Sequence, residues 1–432
     1  MLKSLSIQNV GPMTDVAFDL DPRLNVITGD NGLGKSLLLD IAFWAESGLW
    51  PRARAVPTDG KRRDAELEWT IHGLVDASTS RTAKYDPVIE GWRLVATGGA
   101  RMPRPVIVYA MVDGGFAVFD EARAGGEHQD GIDLFVDDQR ESARRSRARK
   151  YGNGYCVFTA AEVFDGLEGD NGRAANGLIE DWSNWQYRHK KRFAALRSTL
   201  LTLSEGIGEA IKPARPRKTS IRDSREVPWI GLPYGEIPIT QASAAMRRIL
   251  GLAYMLVWAW EEHVEACKLT HTPQTSEMLF LFDEVECHLH PKWQRVILPA
   301  LLAAIGALVG QKTKPQIIAA THSPLVLASL EPLFDETRDQ LLLIELTEAK
   351  KVAVRREPFE RMGRADTWLM SDMFGLGAPT SVEAQAALAK ATHQLSSGAT
   401  PSLAAIRAAQ RDLAAVVSDT DPMLARLGPV LN

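Results

Sequence analysis

Gly29-Asp30-Asn31-Gly32-Leu33-Gly34-Lys35-Ser36 decides how the chain is read. The spacing is G-x-x-x-x-G-K-S, that of a phosphate-binding loop. Arg23–Thr28 before it is a short β-type stretch, and Ser36–Trp44 after it reads as a helix. A strand, a glycine loop and a helix in that order aim backbone N–H groups and the positive end of the helix at phosphate oxygens. The glycines let the backbone wrap closely round those oxygens. Gly29, Asp30, Asn31, Gly32, Leu33, Gly34, Lys35, Ser36 and Leu37 are therefore the expected nucleotide-binding residues. Lys35 is expected to reach the β- and γ-phosphates, and the Ser36 hydroxyl to hold Mg²⁺.

Composition sets the frame around the loop. With 432 residues, 45% of them hydrophobic, the chain can bury a large core, in one large or two modest domains. A net charge of −4 neither predicts a nucleic-acid binder nor excludes a local basic surface. Cys156, Cys267 and Cys287 are too few and too scattered for a disulfide framework, which fits a reducing cytoplasm. The first ten residues alternate apolar and polar like a strand and lack a signal-peptide core. The longest apolar run, Val296–Gly310, is too short to span a bilayer and carries Pro299. These features predict a soluble cytoplasmic protein with no membrane partner.

Outward from the loop, strands are expected around Leu5–Val10 and Val16–Leu20. Further strands are expected at Glu66–Ile71, Gly91–Ala96, Val106–Ala110 and Phe116–Phe119, all read as antiparallel sheet beside the loop. Arg140, Arg144, Arg145, Arg147, Arg149 and Lys150 then crowd a stretch whose only negative side chain is Glu141. They are candidates for contact with DNA or RNA phosphates, against the alternatives of a solvated segment or an acidic protein partner. No aromatic residue is interleaved, so stacking on single strands is unsupported. Leu178, Trp182, Trp185, Phe193, Leu196, Leu200 and Leu203 recur at helical spacing, apart from a gap near His189, and predict one long helix over 174–204. Another helix should start at Ser243, a good N-cap residue able to offer its hydroxyl and the helix end to a phosphate.

Met278-Leu279-Phe280-Leu281-Phe282-Asp283-Glu284 is an apolar run ending in two carboxylates, the pattern of a buried parallel strand that stops at an active site. Asp283 is placed to hold Mg²⁺, and Glu284 to orient and polarise an attacking water. Val285-Glu286-Cys287-His288-Leu289-His290-Pro291 follows, and its spacing matches none of the familiar zinc arrangements. A loop lining a subunit interface suits it better. Gln316–Ala320 reads as a buried strand beside the acidic one, ending at Thr321-His322-Ser323-Pro324, so that His322 can reach a γ-phosphate.

In this order, Gly-x-Asn-Gly-x-Gly-Lys-Ser, a Ser-led helix, Leu-Phe-Asp-Glu-Val-Glu-Cys-His-Leu-His-Pro and Thr-His-Ser-Pro resemble the ABC-type ATPases. Within them they resemble the branch holding the OLD-family, RecF-like and SMC-like enzymes. The resemblance covers residues 1–50 and about 236–330. It implies an α/β ABC-type P-loop head with an antiparallel β subdomain and an inserted helical subdomain. Its segments would be an N-terminal lobe (1–170), a helical insertion with the Ser243 helix (171–270), and a C-terminal lobe with the acidic strand, His322 and a helical tail (271–432). It also implies ATP and Mg²⁺ as ligands, Lys35, Glu284 and His322 as catalytic residues, and two heads closing on ATP with the partner's Ser243 region at the γ-phosphate.

Three departures qualify the implication. Ala244 and Ala245 stand where glycine usually follows the serine, and their methyl groups crowd an approaching phosphate. Gln186 is only a weak match for a Mg²⁺-binding glutamine. No acidic cluster of a TOPRIM nuclease follows residue 330. Gly363-Arg364-Ala365-Asp366-x-Trp368-Leu369, with Phe374-Gly375-Leu376, resembles ATPases found beside separate nucleases in Septu- and retron-type anti-phage systems. The implied function is a slowly hydrolysing ATPase that senses and regulates a separate effector such as a nuclease. A DNA repair or recombination ATPase and an ATP-bound scaffold with little turnover are the alternatives.

Overall fold

The computed structural model describes residues 1–72, 78–95, 104–124, 151–152, 154–169, 172–207, 210–376, 380–396 and 403–417. The basic stretch Arg140–Lys150 lies outside them. By its contacts the chain forms two compact units, Met1–Arg361 and Met362–Asn432. Among the described residues no helix is long and apolar enough to cross a membrane.

The first unit is built on two sheets. One has nine strands, in the order Val352–Glu357, Asp339–Leu346, Leu24–Gly29, Lys314–Ala320, Glu277–Phe282, Val106–Ala110, Phe116–Phe119, Tyr155–Phe158 and Tyr151–Gly152. Its middle strands, from Asp339–Leu346 to Val106–Ala110, pair in parallel, and the flanking ones pair antiparallel. Leu24–Gly29 is buried along its whole length, as is all but the first residue of Glu277–Phe282. That is why these strands read as continuous apolar runs instead of alternating ones. The second sheet is antiparallel, in the order Met13–Asp19, Leu2–Val10, Glu66–His72, Ser78–Asp86 and Gly91–Val95. It alternates: Leu5, Ile7, Leu67, Trp69 and Ile71 are buried, with more exposed residues between them.

The helix Lys35–Ser47 shares one apolar core with both sheets. It is buried almost all round, the composition required of a helix covered on more than one face. Trp44 stacks on Trp50, with ring centroids 5.1 Å apart, and meets the edge of Trp69 at 5.2 Å.

Two expectations are corrected. Val106–Ala110 and Phe116–Phe119 belong to the nine-stranded sheet, and Val106–Ala110 runs parallel to Glu277–Phe282. Every residue of Val-Ile-Val-Tyr-Ala is buried, so both faces are covered, as a strand inside a parallel sheet requires. The expected helix over 174–204 is two helices, Leu178–Tyr187 and Lys190–Ser204. His189 leaves the helical region at φ −116 and ψ 66, where the apolar spacing has its gap. The second helix packs on Ala244–Thr270, with Arg192 paired to Glu261 and Glu262. In the second unit, Val382–Ser396 and Leu403–Ala414 bury a small core of Ala391, Ile406, Ala409 and Leu413.

Gly29 has φ 131, and a Cβ there would lie 1.9 Å from the Ile344 carbonyl oxygen. Gly32 has φ 79 with nothing within 4 Å of such a Cβ. Gly29→Ala must move backbone, whereas Gly32→Ala meets only left-handed strain of roughly 1–2 kcal/mol. Urea titration should rank Gly29→Ala as the more destabilised variant, and the reverse order would refute this account of the loop strand. Trp44→Ala should lose about 3–5 kcal/mol in the same assay.

Candidate functional site

Parallel pairing brings the carboxyl ends of the Leu24–Gly29, Lys314–Ala320 and Glu277–Phe282 strands to one rim of the sheet, the edge at which such sheets place their ligands. Backbone bonds lace that rim. Thr321 N–H donates to the Ile27 carbonyl at 3.0 Å, and Asp283 N–H to the Ala110 carbonyl at 2.9 Å. Lys35, Ser36, Asp283, Glu284 and His322, from segments far apart in sequence, meet there.

Asp30, Asn31 and Gly32 form the exposed crest of the loop, while Lys35 is buried at its base. The Lys35 ammonium donates to the Gly29 and Asp30 carbonyls at 2.8 and 2.7 Å. Burial pulls its pKa down to about 8, against the pull of Glu284, Asp30, Asp283 and Glu286. Leu37 faces the core, packed against the buried cluster. The Ser36 hydroxyl donates to Asp283 Oδ1 at 3.0 Å. Oxygens on neighbouring corners of an octahedral Mg²⁺ lie about 3.0 Å apart, since each sits about 2.1 Å from the ion. Ser36 and Asp283 therefore fit Mg²⁺ in both donor type and spacing.

Glu284 takes left-handed backbone, with φ 47, a conformation that costs a non-glycine residue about 1–3 kcal/mol. Its carboxylate lies 3.9 Å from His322 Nε2, and both side chains remain partly open to solvent. Burial and the nearby Lys35 charge lower the His322 pKa, which favours the neutral imidazole. The geometry sets a carboxylate beside an imidazole at the glycine loop.

Sequence reading missed the residues that hold these groups. Glu286 is half-buried and accepts from the His322 backbone N–H at 2.5 Å. Ser323 donates to Gln294 Oε1 at 2.8 Å, and Gln294 Nε2 donates to the Leu289 carbonyl at 3.0 Å. The acidic loop and the histidine loop are thereby clamped together. Arg52 bonds Asp40, Tyr109 and Asp283. Asp40 was legible in principle, because it stands one helical turn beyond Ser36. Arg52 had no local signal.

Other expected residues stand apart from this cluster's bonding. Ser243 caps its helix, accepting from Met246 N–H at 3.3 Å, and is exposed together with Ala244. Gln186 accepts a bond from Trp182 Nε1 within its own helix. His290 caps the Pro291–Gln294 turn, accepting from Lys292 N–H at 3.3 Å. Among the described residues no group of three His, Cys, Asp or Glu side chains is arranged to hold a metal on its own.

Residues 213–328 match the family described as "AAA domain, putative AbiEii toxin, Type IV TA system", and residues 4–87 match an "AAA domain" family. Septu protein PtuA of Bacillus thuringiensis is 23% identical over 406 residues, which cover 89% of this chain and 87% of that protein. Among solved structures, the SMC head domain from Thermotoga maritima is similar with a TM-score of 0.40 and 13% identity, over 83% of this chain and 99% of that one. The recombination mediator protein RecF, in a structure with ATP, is similar with a TM-score of 0.37 and 12% identity, over 83% of this chain and 97% of that one. The two parts of the chain that match AAA-domain families thus meet at this site, and the chain is similar along most of its length to Septu protein PtuA.

Proposed function

We propose that the chain binds ATP with Mg²⁺ at this rim, hydrolyses it slowly, and uses head-to-head closure to regulate a separate effector, best sought among nucleases, in anti-phage defence. The observation that carries the ATPase reading is the convergence of Lys35, Ser36, Asp283, Glu284 and His322 on the ends of neighbouring strands. Similarity to Septu protein PtuA supports the defence role, as does the Gly363–Leu376 segment noted above.

In this mechanism the Lys35 ammonium leaves the Gly29 and Asp30 carbonyls and donates to β- and γ-phosphate oxygens, beside the loop N–H groups. Mg²⁺, held by Ser36 and Asp283, would supply charge neutralisation to the phosphates. Glu284 orients a water and accepts its proton as the water oxygen bonds to the γ-phosphorus and the bond to the leaving ADP oxygen breaks. Neutral His322 donates one hydrogen bond to a γ-phosphate oxygen and so senses whether that group is present. Closure would bring the exposed Ser243 helix end of a second copy to the same phosphate. The exposed Ala244 methyl at that helix end favours one other reading, an ATP-bound scaffold with little turnover.

Glu284→Gln keeps the shape of the side chain and removes the base. It should lower turnover at least about a hundredfold while ATP binding persists, and should enrich a larger ATP-bound species in size-exclusion chromatography. Unchanged turnover would defeat the assigned base. Wild type that binds ATP and enlarges without releasing phosphate would select the scaffold.

A further inference from the structure

Asp283 is 1% exposed, and both of its carboxylate oxygens are engaged. Oδ1 accepts from the Ser36 hydroxyl at 3.0 Å, and Oδ2 accepts from Arg52 Nη2 at 3.3 Å. The guanidinium is itself fixed on other sides. Its Nε donates to both oxygens of Asp40, at 3.1 and 3.2 Å, and its Nη2 lies 2.7 Å from the Tyr109 hydroxyl. Asp40 sits on the Lys35–Ser47 helix, and Tyr109 sits on the strand that pairs with the acidic one, opposite Leu281. One planar cation therefore ties the phosphate-loop helix, a neighbouring strand and the metal-facing carboxylate into a single bonded unit.

We propose that Arg52 is a positioning residue for Mg²⁺. It holds Asp283 by Oδ2, so that Oδ1 is the oxygen left to share the ion with Ser36. This rests on the Mg²⁺–ATP reading above. Arginine suits the role because its fork presents several donors in one rigid plane, which a lysine ammonium cannot reproduce. The arrangement works against simple electrostatics. A positive charge beside Asp283 opposes a second cation there, so charge alone predicts that removing Arg52 tightens Mg²⁺ binding. Positioning predicts the opposite sign.

The test is calorimetric titration of Mg²⁺ into the full chain with a non-hydrolysable ATP analogue, so that turnover is not the readout. Arg52→Gln and Arg52→Lys should both raise the half-saturating Mg²⁺ concentration about tenfold, the usual size of losing a residue that orients a metal ligand. Binding of the analogue without Mg²⁺ should change less than about twofold by the same reasoning. Tighter or unchanged Mg²⁺ binding in Arg52→Gln overturns the inference, as does Arg52→Lys behaving like wild type. Should the arginine variants fail to fold, Tyr109→Phe removes only the hydroxyl that holds Arg52. It must then weaken Mg²⁺ binding in the same direction, and no shift overturns the inference. Wild type that binds the analogue without any Mg²⁺ dependence overturns the parent reading as well. Wild type with Mg²⁺ dependence and silent variants overturns this inference alone.

Discussion

The site depends on the pairing of the Leu24–Gly29 strand with neighbours on both sides. It lies parallel between Lys314–Ala320 and Asp339–Leu346. Parallel strands must be joined by long crossovers, and here Ser36 and Asp283 stand 247 positions apart in the chain. Sheet hydrogen bonds and not sequence proximity bring them together. The register is further fixed by buried amides near the strand starts. Gln316 Oε1 accepts from Leu2 N–H at 3.1 Å, while its Nε2 donates to the Leu2 carbonyl at 2.7 Å. It stands in for a missing strand where the two sheets meet. Gln340 Nε2 donates to Asn25 Oδ1 at 2.7 Å, and that same oxygen accepts from Asp21 N–H. A polar group buried without such a partner costs about 1–3 kcal/mol, so these amides disfavour any shift of the strands they join.

The nucleotide loop, its helix, the acidic strand and the histidine strand were legible because each has a strong local pattern. The loop has fixed glycine spacing, and the two strands are apolar runs ending in polar residues. The start of the Ser243 helix was legible from its capping residue, and the helix runs from Ala244 to Thr270. Where local pattern was ambiguous the reading went astray. Val106–Ala110 carries no mark of its partner strand, because parallel pairing with Glu277–Phe282 joins segments remote in sequence, Met278 standing opposite Val106. The break at His189 showed only as one missing apolar residue. The clamp by Glu286 and the anchoring by Arg52 left no pattern, because side-chain bonds between remote segments follow from the completed fold.

Those bonds also explain how Glu284 keeps a backbone conformation that its residue type disfavours. The turn after Phe282 must lift Glu284 toward His322 while Asp283 stays buried beside Ser36. Neighbouring residues with opposite duties require a sharp change of direction, and φ 47 at Glu284 supplies it. Strain of this kind persists only where the surroundings over-determine it. Here Asp283 is held on one side by Ser36 and Arg52, and Glu286 on the other by His322 N–H. The residue between two anchored carboxylates has little freedom to relax. Placing Glu284 thus falls to its neighbours, and its carboxylate faces His322 at the partly open rim.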